Sequence, residues 1–291
     1  MITENEPLRV LQITDTHADV SEDANERTRA DIRAIVERTN PHLLALTGDL
    51  WCGDLNPTAA PMWRQRELQF FVSFGKPWAL CLGNHDYAPD LGRLWSELST
   101  LPYSLTGAPT VPGNAWVPWK NTEGHPLWDI FFIHSGQYWE LPEAMEWLIT
   151  EAQQLESLRG HRVPALLFFH IPLANYREAV QRNRYHGEAH EEVQCWGDEE
   201  GKGPQLLYDL PMVRGAFCGH DHTNDFWFED CGIIFGYGRV SGYGGYGTPQ
   251  FRPGAKEIVL DPQGSWMKVA TVFADGTRWG ESHIPLPPRG T

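Results

Sequence analysis

Eight residues carry most of the chemistry legible in this chain: Asp15, His17, Asp49, Asn84, His85, His170, His220 and His222. Carboxylate, imidazole and amide oxygen together suit Mn, Fe or Zn, whereas sites for Mg or Ca rarely use this many histidines. Each stands at or just past the end of a short apolar run. Leu8-Arg-Val-Leu-Gln-Ile-Thr runs into Asp15, and His42-Leu-Leu-Ala-Leu-Thr-Gly into Asp49. Trp78-Ala-Leu-Cys-Leu-Gly runs into Asn84 and His85, Ala165-Leu-Leu-Phe-Phe into His170, and Gly215-Ala-Phe-Cys-Gly into His220 and His222. Two neighbouring dications need a shared anionic ligand, and an aspartate at the centre of the set is the natural bridge. Two such metals can hold a hydroxide between them and clamp phosphate oxygens through in-line displacement. Gly219-His-Asp-His222 is the most informative single element, because histidines two residues apart point the same way only in extended backbone.

The elements that must position these groups follow from the same pattern. Apolar runs this short, bounded by Gly or Pro, read as buried strands. Between them lie helical patterns. Residues 22–38 put Ile32, Ile35 and Val36 on one stripe, and residues 61–74 open on Pro61, a favourable first helical residue. Residues 142–159 place Met145, Leu148, Ile149 and Leu155 at helical spacing and stop at Gly160. Strand–helix alternation argues for parallel pairing in an α/β layered fold, which gathers ligands beyond the carboxyl ends of its strands. In the last third, residues 226–237 and 256–273 read as hairpins, turning at Asp230-Cys-Gly and Asp261-Pro-Gln-Gly. That predicts a mixed second sheet there, within a single domain spanning residues 1–291. Residues 102–128 and 175–204 are weakly periodic and are expected as long loops rimming the site.

Composition sets bounds on partners. The 291 residues carry a formal net charge of −15, which disfavours stable binding to nucleic acid or an anionic membrane. Bound cations can still make one local pocket attractive to a phosphate. No basic segment followed by an apolar stretch opens the chain, and no run of 18 apolar residues occurs. The five cysteines are scattered, with Cys81 and Cys218 in apolar runs, so free buried thiols and a cytoplasmic location are expected.

In order and spacing the chain resembles the calcineurin-like metallophosphoesterase superfamily, whose pattern is D-x-H, GD, GNH[DE], a lone H and GHxH. The corresponding elements are Asp15-Thr-His17, Gly48-Asp49, Gly83-Asn-His-Asp86, His170 and Gly219-His-Asp-His222. Within it the chain is similar to the short purple-acid-phosphatase-like group that includes Dcr2-type fungal phosphatases. That likeness rests on Gly219-His-Asp-His-Thr-Asn-Asp225 and the glycine-rich Gly236–Tyr246 stretch. The resemblance implies a four-layer α/β/β/α sandwich with two mixed sheets. It implies that Asp15, His17, Asp49 and His222 hold one metal, and that Asp49, Asn84, His170 and His220 hold the other. His85 would not ligate but protonate the leaving alkoxide, with Asp86 orienting it. Purple acid phosphatases carry a tyrosine ligand three residues after the bridging aspartate. Cys52 stands there, which favours a colourless Mn, Fe(II) or Zn pair. The implied activity is hydrolysis of a phosphomonoester, from a phosphorylated small molecule or phosphoprotein. The alternatives are a phosphodiesterase, including the cyclic-nucleotide type, on the same metals, and a non-catalytic scaffold of the same fold.

Several tempting residues have plainer readings. His134, ending Phe131-Phe-Ile, reads as a strand-end histidine bonded to backbone, with substrate contact as the alternative. His186, His190, Glu191, Glu192 and Cys195 match no ordinary zinc spacing and read as a solvated loop. Trp51, Trp116, Trp119 and Trp196 lie in or beside site loops, where some could wall a pocket. The glycines of 236–247 either let backbone approach a phosphate or belong to a twisted strand and turns.

Overall fold

Leu8–Ile13 forms β1, and the chain then winds through α1 (Glu22–Thr39), β2 (Leu43–Thr47), α2 (Ala60–Val72), β3 (Trp78–Cys81) and α3 (Leu91–Ser99) in a computed structural model. The structure describes residues 3, 6–19, 21–86, 88–107, 111–135 and 141–288, so much of the N-terminal segment 1–7 lies outside them. β4 (Ala115–Lys120) and β5 (Pro126–Phe132) make a hairpin, followed by α4 (Leu141–Arg159), β6 (Ala165–Phe168), α5 (Ala174–Gln181) and β7 (His186–Ala189). α6 (Lys202–Tyr208), β8 (Val213–Cys218), β9 (Asn224–Asp230), β10 (Ile233–Tyr237), β11 (Ala255–Leu260), β12 (Trp266–Val272) and β13 (Arg278–Pro285) complete the order.

The strands form two mixed sheets, ordered β13-β12-β11-β1-β2-β3 and β4-β5-β6-β8-β10-β9-β7. β1, β2 and β3 run parallel, as do β5, β6, β8 and β10. Three apolar layers hold the sandwich together. Val10, Ala45 and Ile258 of one sheet meet Ile130, Phe168 and Phe217 of the other. Ile32, Ile35, Trp63, Phe71 and Trp95 cover the outer face of the first sheet from α1, α2 and α3. Met145, Leu148, Tyr176 and Leu207 cover the second from α4, α5 and α6. The result is the expected four-layer α/β/β/α arrangement.

Local chemistry fixes the helix ends. Asn40 closes α1 in the left-handed conformation. Pro61 sits in the first turn of α2, and the Asp90 side chain accepts the Arg93 N–H to start α3.

Three expectations are corrected. The 256–273 hairpin does not join the second sheet. β11 lies antiparallel to β1 and extends the first, while β9 and β10 belong to the second. Residues 102–128 are no long loop, since β4 lies there with Pro118 inside it; proline is tolerated because β4 is an edge strand. Residues 175–204 contain most of α5 and all of β7, a polar edge strand paired with β9 whose alternation is too short to show.

Candidate metal centre

The loops after β1, β2, β3, β6 and β8 meet at one edge of the sandwich. Backbone bonds extend the β1–β2 pairing past the strand ends, with Asp15 N donating to Gly48 O and His17 N to Asp49 O. Gln12 and His170 then tie the two sheets together: Gln12 Nε2 donates to Cys218 O at 2.8 Å, and His170 Nδ1 to Thr47 O at 2.8 Å. Strain concentrates here. Asp15, His17, Asp49 and His220 all have positive φ, four of the eight non-glycine residues that do so among those described. Each such conformation costs about 1–3 kcal/mol and persists only where its surroundings over-determine it.

Two buried groups could each hold a metal ion: Asp15, His17 and His222, and Asp49, His170 and His220. In the first, Asp15 Oδ2 accepts from the Thr14 hydroxyl at 2.6 Å and from His220 N at 3.2 Å. Its Oδ1 is buried without a hydrogen-bond partner, 3.6 Å from His222 Nε2 and 3.9 Å from His17 Nε2. His222 donates Nδ1–H to Tyr246 O at 3.0 Å, and His17 Nδ1 lies 3.4 Å from Cys52 Sγ. Their Nε2 atoms converge to 2.9 Å, close enough for both to serve one cation. Burial lowers the pKa of His17 to about 3, which keeps its ring neutral and able to ligate.

In the second group His170 is wholly buried. Its Nε2 has no hydrogen-bond partner and lies 3.1 Å from Asp49 Oδ2. Burial lowers the pKa of His220 to about 3 as well. Asn84 Oδ1 is a third buried acceptor without a partner. Asp49 faces both groups: Oδ1 accepts the His85 N–H at 2.8 Å, while Oδ2 also lies 3.7 Å from His17 Nε2. Burial favours the neutral carboxyl, but His170 and His17 outweigh it and hold Asp49 well below the usual carboxylate range. Asp15 Oδ1, Asn84 Oδ1 and His170 Nε2, all buried without a hydrogen-bond partner, are the pattern expected of groups that ligate cations, because buried polar atoms otherwise find partners. The donor set fits a metal pair.

Backbone closeness is what allows this convergence. A Cβ on Gly83 would stand 2.2 Å from Asp49 Oδ1 and 2.6 Å from Asp49 N. One on Gly245 would stand 2.1 Å from His222 Cε1. The glycine-rich stretch therefore lets backbone press against His17 and His222, the ligand candidates themselves.

His85 joins neither group. Its Nδ1–H donates to Asp54 Oδ2 at 2.8 Å, and the side chain is about one-third exposed at the cavity. Burial pushes its pKa down, but Asp49 and Asp54 outweigh that and hold it above the usual histidine value. Asp86, expected to orient His85, instead accepts from Leu50 N, Trp51 N and Gly83 N, pinning the Asp49 and Asn84 loops to each other. Asp54 takes the orienting part. No sequence signal marked it, because it follows Gly53 in a turn like many other aspartates.

The remaining candidates fall elsewhere. Burial, reinforced by Asp19 and Asp49, pushes the Cys52 thiol up to about 12, so it backs His17 as a neutral group. His134 bonds to the Leu82 backbone, just ahead of the Asn84 loop. His186 stacks on Trp227, His190 pairs with Glu188, Glu191 accepts from Thr223 N, and Cys195 is buried. Trp51 and Trp119 are buried in the core and Trp116 bonds Asp129, whereas Trp196 lines the cavity. That cavity, about 340 Å³, opens over both groups. No helix of the described residues is long and apolar enough to cross a membrane.

Two buried three-residue clusters at the strand ends of a two-sheet sandwich define a dimetal phosphoesterase architecture. The chain belongs to the calcineurin-like phosphoesterase family, whose model matches residues 8–224. It is 31% identical over 283 residues to the "Probable inactive purple acid phosphatase 28" of Arabidopsis thaliana, covering 86% of this chain and 70% of that protein. It is 25% identical over 269 residues to phosphatase DCR2 of Saccharomyces cerevisiae, covering 78% of this chain and 46% of that protein. A dimetal phosphatase from Danio rerio shares the fold, with a TM-score of 0.66, 11% identity, and coverage of 97% of this chain and 100% of that one.

Proposed function

We propose that the chain is a metal-dependent phosphoesterase that hydrolyses a phosphomonoester with water as nucleophile. One observation carries the reading: Asp49 Oδ2 stands 3.1 Å from His170 Nε2 and 3.7 Å from His17 Nε2, between two buried clusters with orphaned acceptors. Asp15, His17, Asp49 and His222 would hold one ion, and Asp49, Asn84, His170 and His220 the other. Imidazole, carboxylate and amide donors suit Mn, Fe or Zn. When bound, the pair would supply positive charge for the phosphate oxygens and acidify the attacking water.

The chain's own residues then divide the work. Asp49 links the two clusters and, through its bond to His85 N, fixes the loop that carries the acid. His85, whose pKa Asp49 and Asp54 raise above the usual histidine value, would present Nε2 to the leaving oxygen and donate its proton there. Thr47 O and Tyr246 O accept from His170 and His222 and so aim their free nitrogens inward. Every element of this set is present in the chain, which supports the catalytic reading over the scaffold.

A second reading, phosphodiester hydrolysis, is favoured by a separate observation. No Lys or Arg lines the cavity among the described residues, and a diester brings less negative charge than a monoester dianion. Turnover of p-nitrophenyl phosphate against bis-p-nitrophenyl phosphate by the Mn- or Zn-reconstituted protein tests both. Preference for the monoester is expected, and preference for the diester selects the second reading. Two bound ions with no turnover of either ester leaves the scaffold reading in place of both.

A further inference from the structure

Three of the seven large apolar side chains exposed among the described residues surround one opening, the mouth of the metal cavity: Leu55, Trp196 and Tyr246. Their exposures, 73%, 38% and 54%, contrast with the polar, buried floor beneath them. Exposed apolar side chains scattered singly mean little, but gathered at the lip of a cleft they mark a contact surface.

Their placement shows what they face. Tyr246 stacks on His222 with ring centroids 4.0 Å apart and planes 11° apart, so its other face is turned from the imidazole. Trp196 meets His220 edge-on at 4.7 Å. Both thus stand over the ligand candidates of the Gly219-His-Asp-His222 loop. Leu55 follows Asp54, the residue that holds His85, and so borders the place where the leaving oxygen collects its proton. Whatever is attached to that oxygen emerges between an aliphatic side chain and two aromatic ones.

Charge points the same way. The acidic residues that line the cavity are Asp49 and Asp221, and no Lys or Arg lines it among the described residues. A second phosphate on the substrate would lie away from the metals and find no cation in that lining, on a chain of net charge −15.

We propose that the ester taken by this site carries a flat apolar group on its leaving alcohol, seated against Leu55, Trp196 and Tyr246, and no second phosphate. This rests on the phosphoesterase reading and adds the substrate class. Aromatic faces bind planar groups with little ordering of their own side chains, so the rim would raise affinity for an aryl ester without altering the metals.

Calorimetric titration of the Zn-loaded protein with phenylphosphonate, methylphosphonate and inositol hexakisphosphate tests it without any turnover. Phenylphosphonate is expected to bind about tenfold more tightly than methylphosphonate, the scale of burying a small ring. Leu55→Ala, which touches no ligand candidate, should lower that ratio, and Trp196→Ala should bring it near one. Equal affinity for the two phosphonates, or tighter binding of the hexakisphosphate than of phenylphosphonate, overturns the proposal. If no phosphonate binds a protein carrying two ions, the phosphoesterase reading fails with it. Metal content measured on Trp196→Ala separates loss of the rim from loss of His220's surroundings. A ratio that falls only because metal is lost counts against the rim.

Discussion

The two candidate metal-holding groups sit side by side yet are built differently. Asp15, His17 and His222 are backed by loops: Cys52 behind His17, Tyr246 behind His222, and the glycine-rich backbone pressed onto both. Asp49, His170 and His220 are backed by the sheets, with His170 buried completely and tied to Thr47 of β2 across the sandwich. The first group leans on side chains and backbone of loop residues, whereas in the second His170 is anchored in the core between the sheets. Asp49 Oδ2 faces both, and their independence therefore ends at one atom.

Asp49→Ala breaks the comparison altogether. Both ions should be lost and hydrolysis should fall to background, read by metal analysis and p-nitrophenyl phosphate turnover. Next in size come the substitutions that separate the groups. Asp15→Asn should strip the loop-backed ion and Asn84→Ala the sheet-backed one, leaving about one ion per chain in each case. His85→Ala lies outside both groups and should keep both ions while slowing turnover by roughly 10²–10⁴-fold.

A smaller effect sharpens the part played by Asp54. His85 acts as an acid only while protonated, so activity should fall as pH rises through its pKa. Asp54 helps hold that pKa above the ordinary value. Asp54→Asn should therefore lower it and shift the alkaline limb of the pH–rate profile to lower pH. An unmoved limb would remove His85 from the acid role. The smallest change is expected for Cys52→Ser, since the thiol backs His17 as a neutral group and the hydroxyl can do the same. A few-fold loss of affinity for one ion is expected, whereas loss of that ion would mean that sulfur itself ligates.

The sequence made the strand ends of the site legible because side-chain polarity changes abruptly there: mostly apolar, wholly buried β2 and β8 stop two residues before Asp49 and His220. The same contrast failed at β4, where Pro118 and two tryptophans on an edge strand imitate a loop, and at β7, whose His-Gly-Glu-Ala carries no apolar face. α3 escaped notice because nine residues are too short to establish a 3.6-residue period, although Asp90 caps it. Asp54 and the rim formed by Leu55, Trp196 and Tyr246 depend on how loops far apart in the chain fold over one another. Local pattern holds no record of that. The glycine-rich stretch was visible as composition, but its use appeared only with Gly245 against His222.

The proposed dinuclear centre rests on Asp49 serving both groups. Metal content per chain of the Mn- or Zn-reconstituted Asp49→Ala protein, measured beside wild type by inductively coupled plasma mass spectrometry, tests this most directly. Two ions in wild type and about none in the variant are predicted. Two ions retained by Asp49→Ala would contradict the shared ligand, and with it the dinuclear centre described above.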